Sequence, residues 1–206
     1  MPSKFLRNSG NHAKPSAPSR RTYFYETQYY TAVSLDGYIA DENHSLDWLF
    51  QFGGEDPTYQ AFIKNVGAIV MGSSTYEWVL KHDLFADPDN PKPWPYTQPT
   101  WIFTSRTLKD LTGADIRFVK GDVGPVHAEM RKAAGDKNIW MVGGGDLAGQ
   151  FYDQGLLDEM IVTIAPVMLS KGAPLFTRKI TTPPLRVVSV TPYPEGLTQI
   201  HLEVQR

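Results

Sequence analysis

The residues with the most chemical content sit where three buried strands each give way, through small or hydroxylated residues, to a helix or loop. They are Met71-Gly72-Ser73-Ser74-Thr75-Tyr76-Glu77, Phe103-Thr104-Ser105-Arg106, and the run from Ile139 through Val142-Gly143-Gly144-Gly145-Asp146-Leu147-Ala148 to Gly149. At a strand-to-helix turn the first N–H groups of the helix lack partners and its dipole favours an anion. Gly72 would let a ligand approach the backbone closely, and Ser74 or Thr75 could donate to a phosphate; ordinary helix capping would use the same residues. Arg106 carries the fork suited to bidentate phosphate recognition, although a surface arginine opening a loop reads identically. Three consecutive glycines cost conformational entropy and show no packing purpose in the sequence. A phosphate or ring lying against bare backbone is their simplest explanation. Gly143, Gly145 and Ala148 also satisfy the G-x-G-x-x-G/A fingerprint. A Rossmann domain opens on that motif and places an acidic residue about 20 positions later, whereas here it comes late.

Other candidates divide unevenly. Asp36 begins a turn, and Asp47 falls in the short amphipathic stretch Ser45-Leu46-Asp47-Trp48-Leu49. A carboxylate beside large apolar neighbours could orient or protonate a heterocyclic substrate. Asp47 could equally do no more than complement a helix dipole. His127-Ala128-Glu129 matches half of a zinc deaminase signature, but the other half needs cysteines and the chain has none. The remaining histidines are scattered, so no metal site is expected, and no nucleophile elbow is present.

The elements that must position these residues alternate strand and helix. Tyr29 to Val33 reads as a strand, Asp36-Gly37 as a turn, and Tyr38 to Ala40 as a second strand. Asp56 caps a helix with Pro57 at its first position; Phe62, Ile63 and Val66 supply its apolar face and Gly67 its end. Ala68 to Met71 is a short apolar run, the mark of a strand buried on both faces. A helix is expected over Ser74 to Leu80, a surface excursion over residues 83 to 99, and strands over Thr100 to Thr104 and Ile116 to Val119. A helix over Val123 to Ala134, a strand over Asn138 to Val142, a helix over Asp146 to Tyr152 and a strand over Met160 to Ala165 follow. Ile200, Leu202 and Val204 alternate with Gln199, His201, Glu203 and Gln205, an antiparallel strand with one wet face. Pro194-Glu195-Gly196 turns it back against Arg186 to Thr191. The pattern predicts a mainly parallel, helix-covered α/β sheet ending in an antiparallel hairpin.

A chain of 206 residues with 41% hydrophobic residues and a net charge of −2 can build one substantial domain. Its near-neutral balance argues against a nucleic-acid partner, and no apolar run approaches the roughly 20 residues a membrane helix needs. The absence of cysteine suits a reducing compartment, so a soluble, cytoplasmic protein is expected. Residues 1 to 25, rich in Ser, Asn, Pro and basic residues, read as a disordered tail ahead of a domain over 26 to 206. Tyr23-Phe24-Tyr25 and the C-terminal hairpin offer surfaces for a second copy.

Taken in order, these segments resemble the dihydrofolate reductase-like superfamily, in its riboflavin-biosynthesis branch, the RibD C-terminal domain family, as a stand-alone member. The resemblance rests on Thr31-Ala32-Val33-Ser34-Leu35-Asp36-Gly37-Tyr38-Ile39-Ala40, Val70 to Glu77, Thr104-Ser105-Arg106, Val142 to Gly145 and Ala173-Pro174-Leu175-Phe176, and spans roughly residues 28 to 206. It implies a three-layer αβα fold and an NADPH-dependent oxidoreductase that passes hydride to a pterin- or pyrimidine-like heterocycle. The substrate class would be that of dihydrofolate reductase or of 5-amino-6-(5-phosphoribosylamino)uracil reductase. By position it implies Ala32 and Ile39 beside the nicotinamide, and Gly72, Ser73, Ser74 and Thr75 around the pyrophosphate. Thr104, Ser105 and Arg106 fall at the adenosine 2′-phosphate, and Val142, Gly143, Gly144, Gly145 and Leu147 against the middle of the cofactor. Thr163 matches a threonine near the substrate pocket; with Asp47, which is a candidate from its apolar setting, it makes the pair of candidate catalytic residues. The resemblance also implies a cis peptide between the first two glycines, and a homodimer. A non-catalytic nucleotide-binding dimer on the same fold is the competing expectation; it would bind the nucleotide without releasing hydride.

Overall fold

The computed structural model describes residues 25–53 and 58–206. Strand β1 (Thr27–Ser34) lies inside an eight-stranded sheet, between two strands parallel to it: β6 (Asn138–Gly143) and β7 (Glu159–Ala165). Beyond β6 come β3 (Val66–Gly72), β4 (Thr100–Phe103) and β5 (Ile116–Val119), all parallel. Beyond β7 the hairpin of β9 (Arg186–Pro192) and β10 (Thr198–Glu203) adds antiparallel strands, giving the order β5-β4-β3-β6-β1-β7-β10-β9. The expected mainly parallel sheet with an antiparallel C-terminal edge is therefore present. A separate ribbon joins β2 (Tyr38–Ala40) to β8 (Ala173–Pro174), a strand too short to leave a periodic signal.

Helices cover both faces because the central strands are apolar on both. Tyr29, Val33, Met141 and Val162 meet Met130 of α4 (Val123–Ala134) and Phe151 of α5 (Gly145–Asp153). On the other face Ile69, Met71, Ile102 and Trp140 meet Phe62 of α2 (Tyr59–Lys64) and Tyr76 of α3 (Ser73–Val79). The short α1 (Asp47–Phe50) precedes α2. Tyr29, Tyr76, Trp101 and Phe151 are wholly buried. Each such burial contributes roughly 1.5–3 kcal/mol at the usual rate for apolar area.

Several expected boundaries move, for identifiable reasons. Val66 and Gly67 belong to β3 rather than to the preceding helix, which ends at Lys64. Gly67 marks a close approach, not a helix stop: a Cβ there would come within 2.8 Å of the Ala134 Cα at the end of α4. Helix α3 runs on into a π-helical turn over Leu80–Leu84. The expected wet face of β10 is dry at Gln199, which is 9% exposed, while Val187, Val188 and Val190 of the edge strand β9 face solvent. The tail, apart from Tyr25, and the Asp56-Pro57 cap lie outside the described residues. No helix among the described residues is long and apolar enough to cross a membrane.

The register of β6, β1 and β7 is fixed at their amino ends by polar contacts. The Glu26 N–H donates to Asn138 Oδ1 at 2.8 Å, and the Thr27 N–H donates to Asp158 Oδ2 at 3.0 Å. Gln28 donates to Glu159 Oε2 at 2.7 Å and accepts from Asn138 Nδ2 at 3.0 Å. His201 Nε2 lies 3.0 Å from Glu159 Oε2. Burial, followed by the neighbouring Glu159 and Asp158 carboxylates, pushes the Glu26 carboxyl up to about 7, with His201 opposing. The folded state then holds a proton on Glu26 that the unfolded chain releases at lower pH. This group's contribution to stability is therefore lost as pH rises through that window. Glu26→Gln should gain in melting temperature relative to the parent as pH rises from about 5 to about 8. Thermal unfolding across that range checks this; a constant difference would assign Glu26 an ordinary titration.

Candidate functional site

The parallel strands end together. Gly72 pairs with Phe103, Met71 with Gly143, and Ala32 with Thr163, so the turns after β3, β4 and β6 and the last residues of β1 and β7 form one rim. The crossovers through α4 and α5 lie on one face of the sheet and those through α2 and α3 on the other. The carboxyl end of such an open sheet is where ligands of α/β proteins sit.

The glycines on this rim divide into two kinds. Contrary to the sequence reading, two of the three consecutive glycines have a packing reason. A Cβ on Gly145 would collide with the carbonyls of Pro174 and Leu175, and one on Gly143 would meet Thr75 Oγ1 at 2.7 Å. Gly144 has φ +107°, a left-handed conformation that disfavours other residues. The expected cis bond between Gly143 and Gly144 is absent; among the described residues the cis peptide is Thr182–Pro183. Gly72 is different. Among the described glycines it alone combines an ordinary φ with no atom within 4 Å of a built Cβ. Among the described residues outside its chain neighbours and its own helix, no atom lies in the space above it.

Around Gly72 the polar groups are likewise uncommitted. Gly72 is the N-cap of α3 and provides no side-chain cap. Ser73, Ser74 and Thr75 occupy the first turn, and Ser74 is exposed. The capping role open to Ser74 and Thr75 in the sequence is therefore not taken.

Arg106 is committed. Its Nη1 and Nη2 donate to Glu77 Oε1 at 3.1 Å and Oε2 at 2.6 Å, a bidentate pair between an exposed arginine and an exposed glutamate of α3. Its backbone N–H donates to Thr104 Oγ1 at 2.9 Å, and Ser105 is exposed beside it. A phosphate reaching Arg106 would compete with Glu77. The motif Thr75-Tyr76-Glu77 contained this residue, but no periodicity or spacing indicates which cation a glutamate will pair with.

The other positions are spread along the rim. Ala32 and Ile39 are half-buried, with Ile39 packed on the main core; Val142 packs on the opposite face. Leu147 is only 6% exposed and belongs to the core beneath α5, so its side chain has little surface for a ligand. Thr163 is buried, and its Oγ1 accepts from Gln199 Nε2 at 3.2 Å. Gln199 Nε2 also approaches Thr58 Oγ1 at 3.4 Å, and Thr58 is 3.1 Å from the Tyr193 hydroxyl. Gln199, Thr58 and Tyr193 thus form a polar group around Thr163 that sequence reasoning missed, because alternation had assigned Gln199 to solvent.

The two aspartates differ from the expectation of an apolar setting. Asp47 is exposed in the first turn of α1. Asp36 accepts from the Ser34 hydroxyl at 2.6 Å and from the Leu169 and Ser170 N–H groups at 3.1 and 2.7 Å. The Ser34 hydrogen bond, with those from the backbone, holds its carboxyl below the usual range, so Asp36 is a clamp between two loops rather than a proton donor. His127 lies on α4, as expected, with its ring against Phe151. Among the described residues no group of histidine and carboxylate side chains could hold a metal ion.

A family model for the RibD C-terminal domain matches residues 27–199. A Bacillus subtilis (strain 168) protein, YwjB, itself described as uncharacterized, is 32% identical over 178 residues, covering 85% of this chain and 96% of that protein. The crystal structure of a putative riboflavin biosynthesis protein from Shewanella sp. PV-4 superposes with a TM-score of 0.73 at 28% identity, covering 88% of this chain and 99% of that one. A pyrimidine reductase-like protein from Corynebacterium diphtheriae shares the fold, with a TM-score of 0.58 at 16% identity over 88% of this chain and 92% of its own.

The division of the glycines is testable by unfolding in urea. Gly145→Ala should cost about 1–3 kcal/mol, the usual range for forcing atoms into a filled space. Gly72→Ala should cost no more than about 1 kcal/mol, the penalty of alanine at an N-cap. Equal losses would mean that Gly72 too is held by packing.

Proposed function

This chain belongs to the RibD C-terminal domain family, and on that premise we propose that it is an NADPH-dependent reductase acting on a pterin- or pyrimidine-like heterocycle. The observation that carries the reading is Gly72: an open space over bare backbone, at the carboxyl end of a parallel strand, which no atom of the described residues beyond its chain neighbours and its own helix fills. The residues present fit a dinucleotide there. The backbone of Gly72 and Ser73 with the hydroxyls of Ser74 and Thr75 would hold the pyrophosphate, and Gly143 and Gly144 would wall the adjoining turn. Thr104, Ser105 and Arg106 would receive the 2′-phosphate, with Glu77 exchanged for the phosphate as the partner of Arg106. Ala32 and Ile39 would flank the nicotinamide, which supplies a hydride when bound.

The work of this chain's own residues is positioning. Thr163 and Gln199, held together in a buried pair, would fix the polar edge of the heterocycle over Ala32, with which Thr163 is in register. Orientation of this kind accounts for a large share of rate acceleration when the cofactor carries the chemistry. Reduction of a C=N or C=O group adds hydride to carbon and a proton to the heteroatom. Asp47, at the exposed start of α1, is the proposed source of that proton or of a hydrogen bond that polarises the group. The exposure of Asp47 favours one alternative, a module that binds the nucleotide without turnover.

We place the protein in the cytoplasm and expect a homodimer using the β9 edge, where three valines face outward and, among the described residues, no strand pairs beyond β9. Sedimentation of the parent against Val190→Lys reads that expectation directly.

The function is tested by following NADPH absorbance with dihydrofolate and with ribosylaminopyrimidines, beside calorimetric titration of NADPH and NADH. NADPH should bind, and at least one heterocycle should be reduced. Arg106→Ala should weaken NADPH about tenfold or more with little effect on NADH, as expected for a lost charge-assisted pair. Glu77→Gln should strengthen NADPH. Binding without oxidation of any heterocycle would favour the non-catalytic module, and no binding of either nucleotide would remove the cofactor assignment.

A further inference from the structure

Two turns meet on the carboxyl rim just beyond the Ala32–Thr163 pair. One, over residues 35–37, follows β1; the other, over residues 166–172, follows β7 and leads into β8. The backbone joins them twice: the Leu35 N–H donates to the Val167 carbonyl, and the Leu175 N–H to the Gly37 carbonyl, each at 2.8 Å. Gly172 lies so close to the Ala40 carbonyl that a Cβ there would overlap it. Leu35 and Met168, one on each turn, are nevertheless 63% and 66% exposed.

One carboxylate sits between these contacts. Asp36 Oδ1 accepts from the Ser34 hydroxyl at 2.6 Å, both oxygens share the Leu169 N–H at 3.1 Å, and Oδ2 takes the Ser170 N–H at 2.7 Å. Ser34 is wholly enclosed and accepts in turn from the Tyr38 N–H at 3.0 Å. A relay therefore runs from the start of β2 through Ser34 and Asp36 to the turn after β7. At its far end Ser170 has φ +65°, a left-handed conformation that serine adopts only at a cost. Such strain persists where neighbouring contacts over-determine it, and it is concentrated at ligand clamps. Loops that merely connect strands are the least constrained parts of a fold. This junction is tightly constrained and still presents large apolar side chains to solvent, as a ligand-facing wall does.

The relay also joins the elements that carry the reacting positions. Ser34 is level with Ala165, and Ala32, two residues earlier, with Thr163; Ile39 follows Tyr38 in β2. We propose that Asp36 is a positioning residue of the reductase site, latching the turn after β1 to the turn after β7 and so setting how Ala32 and Ile39 stand against Thr163. This rests on the reductase reading above and gives Asp36 no proton to transfer. The pyrophosphate and the 2′-phosphate would be held on the turns after β3 and β4, so the latch bears on orientation at the nicotinamide and not on affinity for the cofactor. All the groups that converge on Asp36 are N–H or O–H donors. A carboxamide has one acceptor oxygen and would turn its own N–H groups toward at least one of them, so Asp36→Asn opens the latch with little change in size.

The test is single-turnover oxidation of NADPH by the full chain, using the heterocycle that the parent reduces, beside calorimetric titration of NADPH. Asp36→Asn should slow the absorbance decay about 10- to 100-fold, the scale of a misplaced reacting pair, and leave the NADPH Kd within about threefold. Ser34→Ala, which breaks the relay but keeps the carboxylate, should slow the decay in the same direction by less. A merely structural role would lower the amplitude, which counts folded molecules, and leave the rate of the remainder unchanged. Should Asp36→Asn fail to unfold cooperatively, Ser34→Ala decides. Decay rates equal to the parent's overturn the proposal and leave the reductase reading standing. A parent that binds no NADPH, or binds it without oxidation, overturns that reading and the proposal with it.

Discussion

The parallel seating of β1 between β6 and β7 is the constraint on which the rest of this molecule depends. Seven consecutive residue pairs align β1 with β7, and the side chains of Asn138, Asp158 and Glu159 fasten the amino ends of the three strands. A one-residue slip of β1 would exchange the side chains that face its two helix layers, so this fastening determines what appears at the far end. Ala32 comes level with Thr163, and Met71, through β3, level with Gly143. The rim is a consequence of register. The charged cluster at the amino ends is the structural counterpart of that rim, and its raised Glu26 carboxyl is a local cost of packing acids where the strands begin.

Glycine serves two distinct purposes on the rim. Gly143 and Gly145 are small because Thr75 and the Pro174–Leu175 carbonyls lie against them, and these contacts hold the turn after β6 to α3 and to the β8 ribbon. Gly72 has no such neighbour. Its bare backbone and the uncapped first turn of α3 are what the protein leaves available, and the packed glycines make the opposing wall rigid. Rigid walls and an open floor are the arrangement expected of a site that binds by positioning.

Much of the architecture was legible in the sequence because buried parallel strands carry continuous apolar runs and helices carry caps. The strands at Thr100–Phe103 and Ile116–Val119 and helix α4 fall almost where the pattern placed them. Failures occurred where long-range packing decides. Gly67 looked like a helix stop because its neighbour at the end of α4 is far away in sequence. Gln199 looked solvated because alternation reports two faces without saying what covers each; Thr163 and Thr58 cover it. The site was legible in part. Its segments were identified and the structure brings them to one rim, but the sequence could not show that Thr75 and the Pro174–Leu175 carbonyls pack against Gly143 and Gly145. The pairing of Arg106 with Glu77 also depends on side-chain reach that spacing does not encode.

The central claim is that a dinucleotide lies at the carboxyl ends of these strands, over Gly72. Amide chemical-shift mapping of the isotopically labelled chain during addition of NADPH tests this most directly. The account predicts saturable shifts concentrated at Gly72, Ser73, Thr75, Gly143 and Gly144, with Glu26, Thr27 and Asp158 unmoved. Saturable shifts confined to the amino ends of the strands, or none at all, would contradict it.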